Sequence, residues 1–393
     1  MPAARYKDGA VNSVMEEFFR RARENDPSFT ELELHYIFFG EINIENLTEG
    51  LKKNNTLKKL DFSANNIDYD GIRKVIDALE DNTTLIELNL SRTRIDYFGI
   101  KKLTEILKRN TTLEKLVLSD CNIKEDVGSM IAEMLKKNTT LTELDLSHNF
   151  VYPYRIDKIV EGIEKNNVLK KLNLSNCNIS ICKQDAIFKS LNIIMLMTEL
   201  NLAHSYIGID GAEIIAEILE NNKTLKKLSL RRSLVRNYSE DTNNGGEKII
   251  NSLEKNTALI EIDLSYNCFG SSVIGNFAKV LKNNTTLEKV YFKDNDISCY
   301  GISNIVEAMY SNATLQTFDT TNDIYMIKPK ADDLFWFTEL NKMLYLVNIL
   351  NKKMPSELIC KVFSFTLPPR ADAEYLIGQK MQMISLTKRV KLT

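Results

Sequence analysis

The chain has 393 residues, of which 44% are hydrophobic and 26% charged, with a formal net charge of −2 at pH 7. That balance excludes a disordered polar chain and gives no bulk attraction to nucleic acid or an anionic membrane. A single compact core of this size is unusual, but a stack of repeats escapes the limit because each unit buries its apolar face only against its neighbours.

In chain order, residues 9–25 place Val14, Phe18 and Phe19 on one stripe. This predicts an amphipathic helix that lids the first unit, an N-terminal cap over 1–28. The stretch 1–26 lacks the apolar run of a secretory signal, and no run of about 18 apolar residues offers a membrane span. The expected compartment is the cytoplasm, with nuclear import or secretion into a host cell left open.

From Phe29 the chain keeps time. Strand-like runs begin at Phe29, Leu57, Leu85, Leu113, Leu141, Leu169, Met197, Leu225, Leu259, Leu287 and Leu315, every step being 28 residues except the 34 from Leu225 to Leu259. One unit therefore carries 34 − 28 = 6 extra residues. In 85–112, Leu85, Leu88 and Leu90 alternate as in a strand, a turn contains Gly99, and Ile100, Leu103, Ile106 and Leu107 recur at helical spacing. The pattern L-x-x-L-x-L-x-x-(N/C/T/S)-x-I resembles the leucine-rich repeat of the ribonuclease-inhibitor type, and the resemblance spans eleven units over 29–325. It implies an α/β solenoid, a horseshoe with a parallel sheet on its concave face and helices on its convex face.

Four rows of that solenoid are readable. Position nine holds Asn65, Thr93, Cys121, Asn149, Cys177, Ser205, Ser233, Asn267 and Asn295, small groups expected to bond buried backbone where the chain leaves the strand. Ile37 and Asp323, in the terminal units, depart from the rule. Cys121 and Cys177 stand two units apart, roughly 10 Å at about 4.8 Å per strand, too far for a disulfide. Both read as structural thiols in a reducing compartment. Asn54, Asn82, Asn110, Asn138, Asn166, Asn222, Asn256, Asn284 and Asn312 lie three residues before a strand and are expected to end each helix in the left-handed cap conformation. Position three alternates in sign without error from Glu31 to Lys289, which would hold register and neutralise the wall.

Position seven is serine or alanine from Ser63 to Ala203, and then Arg231 breaks the row beside the six-residue excess. Arg231 and Arg232, expected at strand positions seven and eight, with Arg236 and Tyr238 just beyond, form a candidate partner-binding rim, because arginine and tyrosine carry much recognition energy and rim insertions often bind. His204, Tyr206, Tyr266 and Phe269 join it from flanking units, with Tyr69, Tyr97 and Phe98 further along. The alternative is a tolerated insertion whose arginines pair with Glu240 and Asp241.

Three histidines, His35, His148 and His204, make no zinc set, and no phosphate loop, nucleophile elbow or paired C-x-x-C occurs. The expectation is no catalytic residue, no metal, no cofactor and no enzyme. Residues 326–393 form the remaining segment, in which the helical run 333–350, including Trp336, would lid the far end. Within 354–369, Pro355 starts a helix whose Leu358, Ile359, Val362 and Phe363 share a face. Pro355, Glu357, Leu358, Val362 and Phe363 resemble the first helix of an F-box, which implies docking of a Skp-type adaptor, and the alternative is a further capping helix. The basic tail around Lys388, Arg389 and Lys391 resembles a short import signal or is a plain solvated end.

Taken together, the sequence predicts a monomeric, non-enzymatic scaffold binding an unidentified protein partner on the concave face and adjacent rim. It predicts no nucleic acid and no membrane. The alternatives are a ubiquitin-ligase adaptor and a small-GTPase regulator.

Overall fold

Each strand is three residues long, and eleven of them lie side by side in chain order. They are β1 (Glu31–Glu33), β2 (Lys59–Asp61), β3 (Glu87–Asn89), β4 (Lys115–Val117), β5 (Glu143–Asp145), β6 (Lys171–Asn173), β7 (Glu199–Asn201), β8 (Lys227–Ser229), β9 (Glu261–Asp263), β10 (Lys289–Tyr291) and β11 (Thr317–Asp319). All neighbours pair in parallel, and position three always meets position three, as in Glu31↔Lys59 and Lys227↔Glu261. The computed structural model describes residues 16–320 apart from 18, 35–40, 66, 124–126, 150–152, 178–190, 235–243, 296 and 298. Ile37, Asp323, Arg236, Tyr238 and the whole of 321–393, with the F-box-like residues, lie outside the described residues.

The alternation predicted for the strands holds. Position four points inward as Leu60, Leu88, Leu116, Leu144 and their equivalents, all buried, while positions three and five face out. Helices return the chain on the other side, among them α1 (Glu41–Lys53), α2 (Tyr69–Ala78), α3 (Tyr97–Leu107), α4 (Val127–Leu135), α5 (Pro153–Glu164), α6 (Gly208–Asn221), α7 (Asn244–Lys255), α8 (Gly270–Asn283) and α9 (Cys299–Ser311). Between β6 and β7 the helical element among the described residues is the 3₁₀ turn Leu191–Met195. At the N-terminal end, Phe19 and Ala22 are buried, and Asn54 Nδ2 donates to Ala22 O at 3.2 Å. Toward the other end the aliphatic core becomes aromatic. Phe292 lies 5.3 Å from Phe277 and 5.8 Å from Phe318, centroid to centroid.

The ladder does not stop where the strands do. The position-six N–H of Phe62 donates to Asn89 O, and the position-eight N–H of Ala64 donates to Ser91 O, each at 2.8 Å. At position eight the backbone is left-handed in Ala64, Arg92, Asp120, His148, Asn176, His204, Arg232, Tyr266 and Asp294, with φ between 49° and 62°. For a side chain with Cβ this conformation costs about 1–2 kcal/mol, offset from Ala64 to Tyr266 by the hydrogen bond that each N–H makes to the next unit. This corrects the placement of Arg231 and Arg232: they stand in the turn after β8, not within the strand, because the left-handed residue ends the extended run.

That turn aims position nine into the stack. Asn149 Nδ2 donates to Leu118 O and Leu146 O, both at 2.8 Å, while its Oδ1 accepts from the N–H of Cys121 at 3.0 Å and of Ile123 at 3.1 Å. Cys121, Cys177 and Ser233 make a smaller version, reaching the carbonyl 31 residues back and one in their own turn, and Thr93 reaches only Leu90 O in its own turn. The Ser205 hydroxyl is buried with no hydrogen-bond partner.

The pre-strand asparagines satisfy carbonyls as expected, but not from a left-handed cap. Asn222 and Asn284 are extended, with ψ of 132° and 130°. From that shape Asn284 Nδ2 reaches back to Leu253 O at 2.7 Å, and its Oδ1 accepts from the Leu287 N–H at 2.8 Å. One amide side chain thus ties the end of one helix to the start of the next strand.

Candidate functional site

The outward residues of the strands make the concave wall. Its third row is a chain of ion pairs: Lys115 to Glu143 at 2.9 Å, Lys171 to Glu143 at 3.6 Å and Glu199 at 3.3 Å, Lys227 to Glu199 at 3.7 Å, and Lys289 to Glu261 at 3.5 Å. Such exposed pairs contribute about 0–1 kcal/mol each, so their effect is on the field of the wall more than on stability.

The fifth row was not singled out by the sequence pattern. It reads Glu33, Asp61, Asn89, Val117, Asp145, Asn173, Asn201, Ser229, Asp263, Tyr291 and Asp319, with acids and no bases. Its carboxylates and amides build the turn: Asp61, Asp145 and Asp263 Oδ1 each accept the N–H two residues on, at 2.9, 2.8 and 2.9 Å. Asn89 and Asn173 donate across to Asp61 and Asp145 at 2.9 Å. Rows three and five together line a hollow of ≈ 440 Å³ from Glu143 to Tyr291, across β5 to β10. Burial holds the Tyr291 phenol above its usual range, with Glu261 adding to the effect.

On the rim above the hollow the structure brings together part of the predicted set. The Arg231 guanidinium carbon lies 4.0 Å from the centre of the Tyr266 ring. The His204 N–H donates to Arg231 O at 2.7 Å, and the Arg232 N–H to Ser265 O at 2.9 Å. Partial burial, reinforced by the charges of Arg232, Arg231 and His148, holds the His204 imidazole below its ordinary value. Tyr206 is 62% exposed beside them.

Phe269 is a correction. It is 3% exposed and stacks on Phe292, 5.0 Å apart with planes at 10°, so it belongs to the core and not to a contact surface. The signal was present: Phe269 occupies the position held elsewhere by Ile67, Ile95, Ile123, Ile207 and Ile297, all buried. Gly246 makes room for the larger ring, since a Cβ there would lie 1.7 Å from Phe269 Cε1. The six extra residues fall in the unit of Gly246, between Leu234, which is buried and whose N–H donates to Asn267 Oδ1 at 2.9 Å, and the start of α7.

Among the described residues no group of three His, Cys, Asp or Glu could hold a metal ion, and no helix is long and apolar enough to cross a membrane. Cys121 and Cys177 are buried, which pushes their thiols up to about 11 and about 12.

Comparison with family models agrees with the repeat pattern. A model described as Leucine Rich repeat matches residues 53–75, 81–103, 109–132 and 137–149, and a second, Leucine Rich Repeat, matches 168–190. Among solved structures, one titled Leiomodin-1 Actin-Binding Site 2 is similar at 24% identity, covering 39% of this chain and 91% of that one, with a TM-score of 0.34. The C-terminal domain of tropomodulin from Caenorhabditis elegans is similar at 16% identity, covering 38% and 92%, with a TM-score of 0.35. The protein is a leucine-rich-repeat α/β solenoid. Repeats of this class generally mediate protein–protein interaction and are typically non-enzymatic.

Proposed function

We propose that the protein is an interaction scaffold that binds a partner protein in the concave hollow and on the rim above it. The observation that carries this reading is the open sheet itself: eleven parallel strands present rows of polar side chains on one continuous outward face, with a hollow of ≈ 440 Å³ and a cation–aromatic rim beside it. Side chains there are fixed by ion pairs and turn hydrogen bonds, so little ordering entropy opposes association.

The test is cross-linking followed by mass spectrometry on the native chain, comparing wild type with Lys171→Ala/Lys227→Ala on the wall and Lys101→Ala on the outside of α3. A partner lost by the wall variant and kept by the α3 variant is the expected result. Loss with Lys101→Ala alone would move the interface to the convex side. The F-box-like segment 354–369 lies outside the described residues, and no described residue favours the adaptor or GTPase-regulator readings.

A further inference from the structure

The cations of the third row pair with its own carboxylates, and on the rim Arg92 pairs with Asp120 at 3.3 Å. Lys293, in the seventh row, contacts Asp319 at 3.1 Å. Among the described residues neither Arg231 nor Arg232 has a carboxylate in ion-pair contact. Arg231 is nonetheless held in place, its guanidinium carbon over the Tyr266 ring at 4.0 Å from the centroid. A stacked guanidinium keeps its N–H donors in its own plane, where they match a carboxylate edge. Arg232 is exposed on a backbone fixed by its bond to Ser265. The positive field is felt one unit away, where both arginines disfavour the charged form of His204.

The patch is small and bounded. Along the left-handed row Asp120 precedes it and Asp294 follows it, two units beyond Arg232, or about 10 Å at the strand spacing. Below it lie Asp263 and the base-free fifth row. A nucleic-acid backbone would run its phosphates past these acids, whereas two neighbouring carboxylates fit between them. Building on the proposed role of the concave face and rim, we infer that Arg231 and Arg232, backed by Tyr266 and flanked by Tyr206, clamp a short acidic segment of the partner protein.

The test is random dodecapeptide display against the intact chain, with each enriched peptide then measured by fluorescence anisotropy. Wild type is compared with Arg231→Gln/Arg232→Gln, with Lys171→Ala/Lys227→Ala, and with Glu240→Gln/Asp241→Asn. The expected peptides are rich in Asp and Glu, lose at least about tenfold in affinity to the double-glutamine variant, and weaken as salt rises. Peptides without acidic bias, or undiminished binding by that variant, overturn the clamp. Binding lost only with the wall variant also overturns it but leaves the scaffold reading standing, and enrichment of no peptide sinks both. Tighter binding of a twelve-nucleotide single-stranded DNA overturns it, as does a tenfold gain in peptide affinity with Glu240→Gln/Asp241→Asn, which would make this chain's own acids the occupant. Should the double variant fail to fold by circular dichroism, Arg232→Gln alone, on an exposed side chain, carries the same expectation.

Discussion

The guanidinium of Arg231 sits 4.0 Å above the ring of Tyr266, one strand further along the arc, while the backbone carbonyl of Arg231 holds the His204 N–H of the strand before. Three units are thus joined through one residue. The local excess of positive charge predicts a measurable effect on His204. Its ring titrates below the ordinary 6.5, and replacing both arginines with glutamine moves the midpoint upward, because two charges that disfavour the imidazolium are removed while the burial contribution stays. A proton NMR titration of the ring carbons' hydrogens reads this directly. An unmoved or lower midpoint in the variant would falsify the assigned field.

Asn149 meets five buried backbone groups with one side chain, donating to three carbonyls and accepting from two N–H groups. Asn149→Ala is expected to destabilise by about 3 kcal/mol or more, since several desolvated groups lose their partner at once. Cys177→Ala removes one weak thiol donor, shared between Leu146 O at 3.1 Å and Ser175 O at 3.7 Å, and should cost about 1 kcal/mol. Urea denaturation followed by circular dichroism ranks the two, and equal midpoints would contradict the assigned role of position nine.

Thiol chemistry divides the described cysteines. Cys121 and Cys177 are buried with raised thiols, and Cys268 is exposed. Brief iodoacetamide treatment of the native protein near neutral pH should modify Cys268 and spare the other two until denaturant is added. Peptide mass spectrometry locates the label, and early modification of Cys121 or Cys177 would show that the stack opens there.

Asp26 ties the helical residues 19–24 to the first strand. It accepts from the Ser28 hydroxyl at 2.7 Å, from Arg21 Nε at 2.6 Å and from the Ser28 N–H at 2.9 Å, contacts that bring its carboxyl down to about 2 from an ordinary 3.8. A carboxyl lowered in the folded state stabilises above its unfolded value and loses that contribution as pH falls toward the folded one. Asp26→Asn should therefore melt lower than wild type at neutral pH, with the gap closing as pH approaches about 2. A gap of constant size across that window would mean the carboxylate charge does not matter.

Much of the architecture was legible because a repeat states the same physics eleven times. The 28-residue step gave strand order, the buried leucines and the self-pairing third row. What escaped is instructive. Ala64, Arg92, Asp120, His148 and Tyr266 share a left-handed backbone but no chemistry, since a bond from the next unit, not local preference, imposes it. Asparagine tolerates the left-handed shape, so Asn222 and Asn284 were expected there, yet their amides work from an extended chain. Phe269 read as a rim aromatic because its type outweighed its place, although its place in the unit is that of a core isoleucine. The candidate site was half visible: the break at Arg231 stood out against a serine row, whereas the pairing that leaves it unneutralised required coordinates.

Lys227 meets Glu261 at the same offset as every other strand pair, although 34 residues separate them where 28 suffice elsewhere. The spine is indifferent to how much chain is let out at that edge. Curvature and contour length are uncoupled there, so new sequence can be grafted beside the arginines without retuning the stack beneath them.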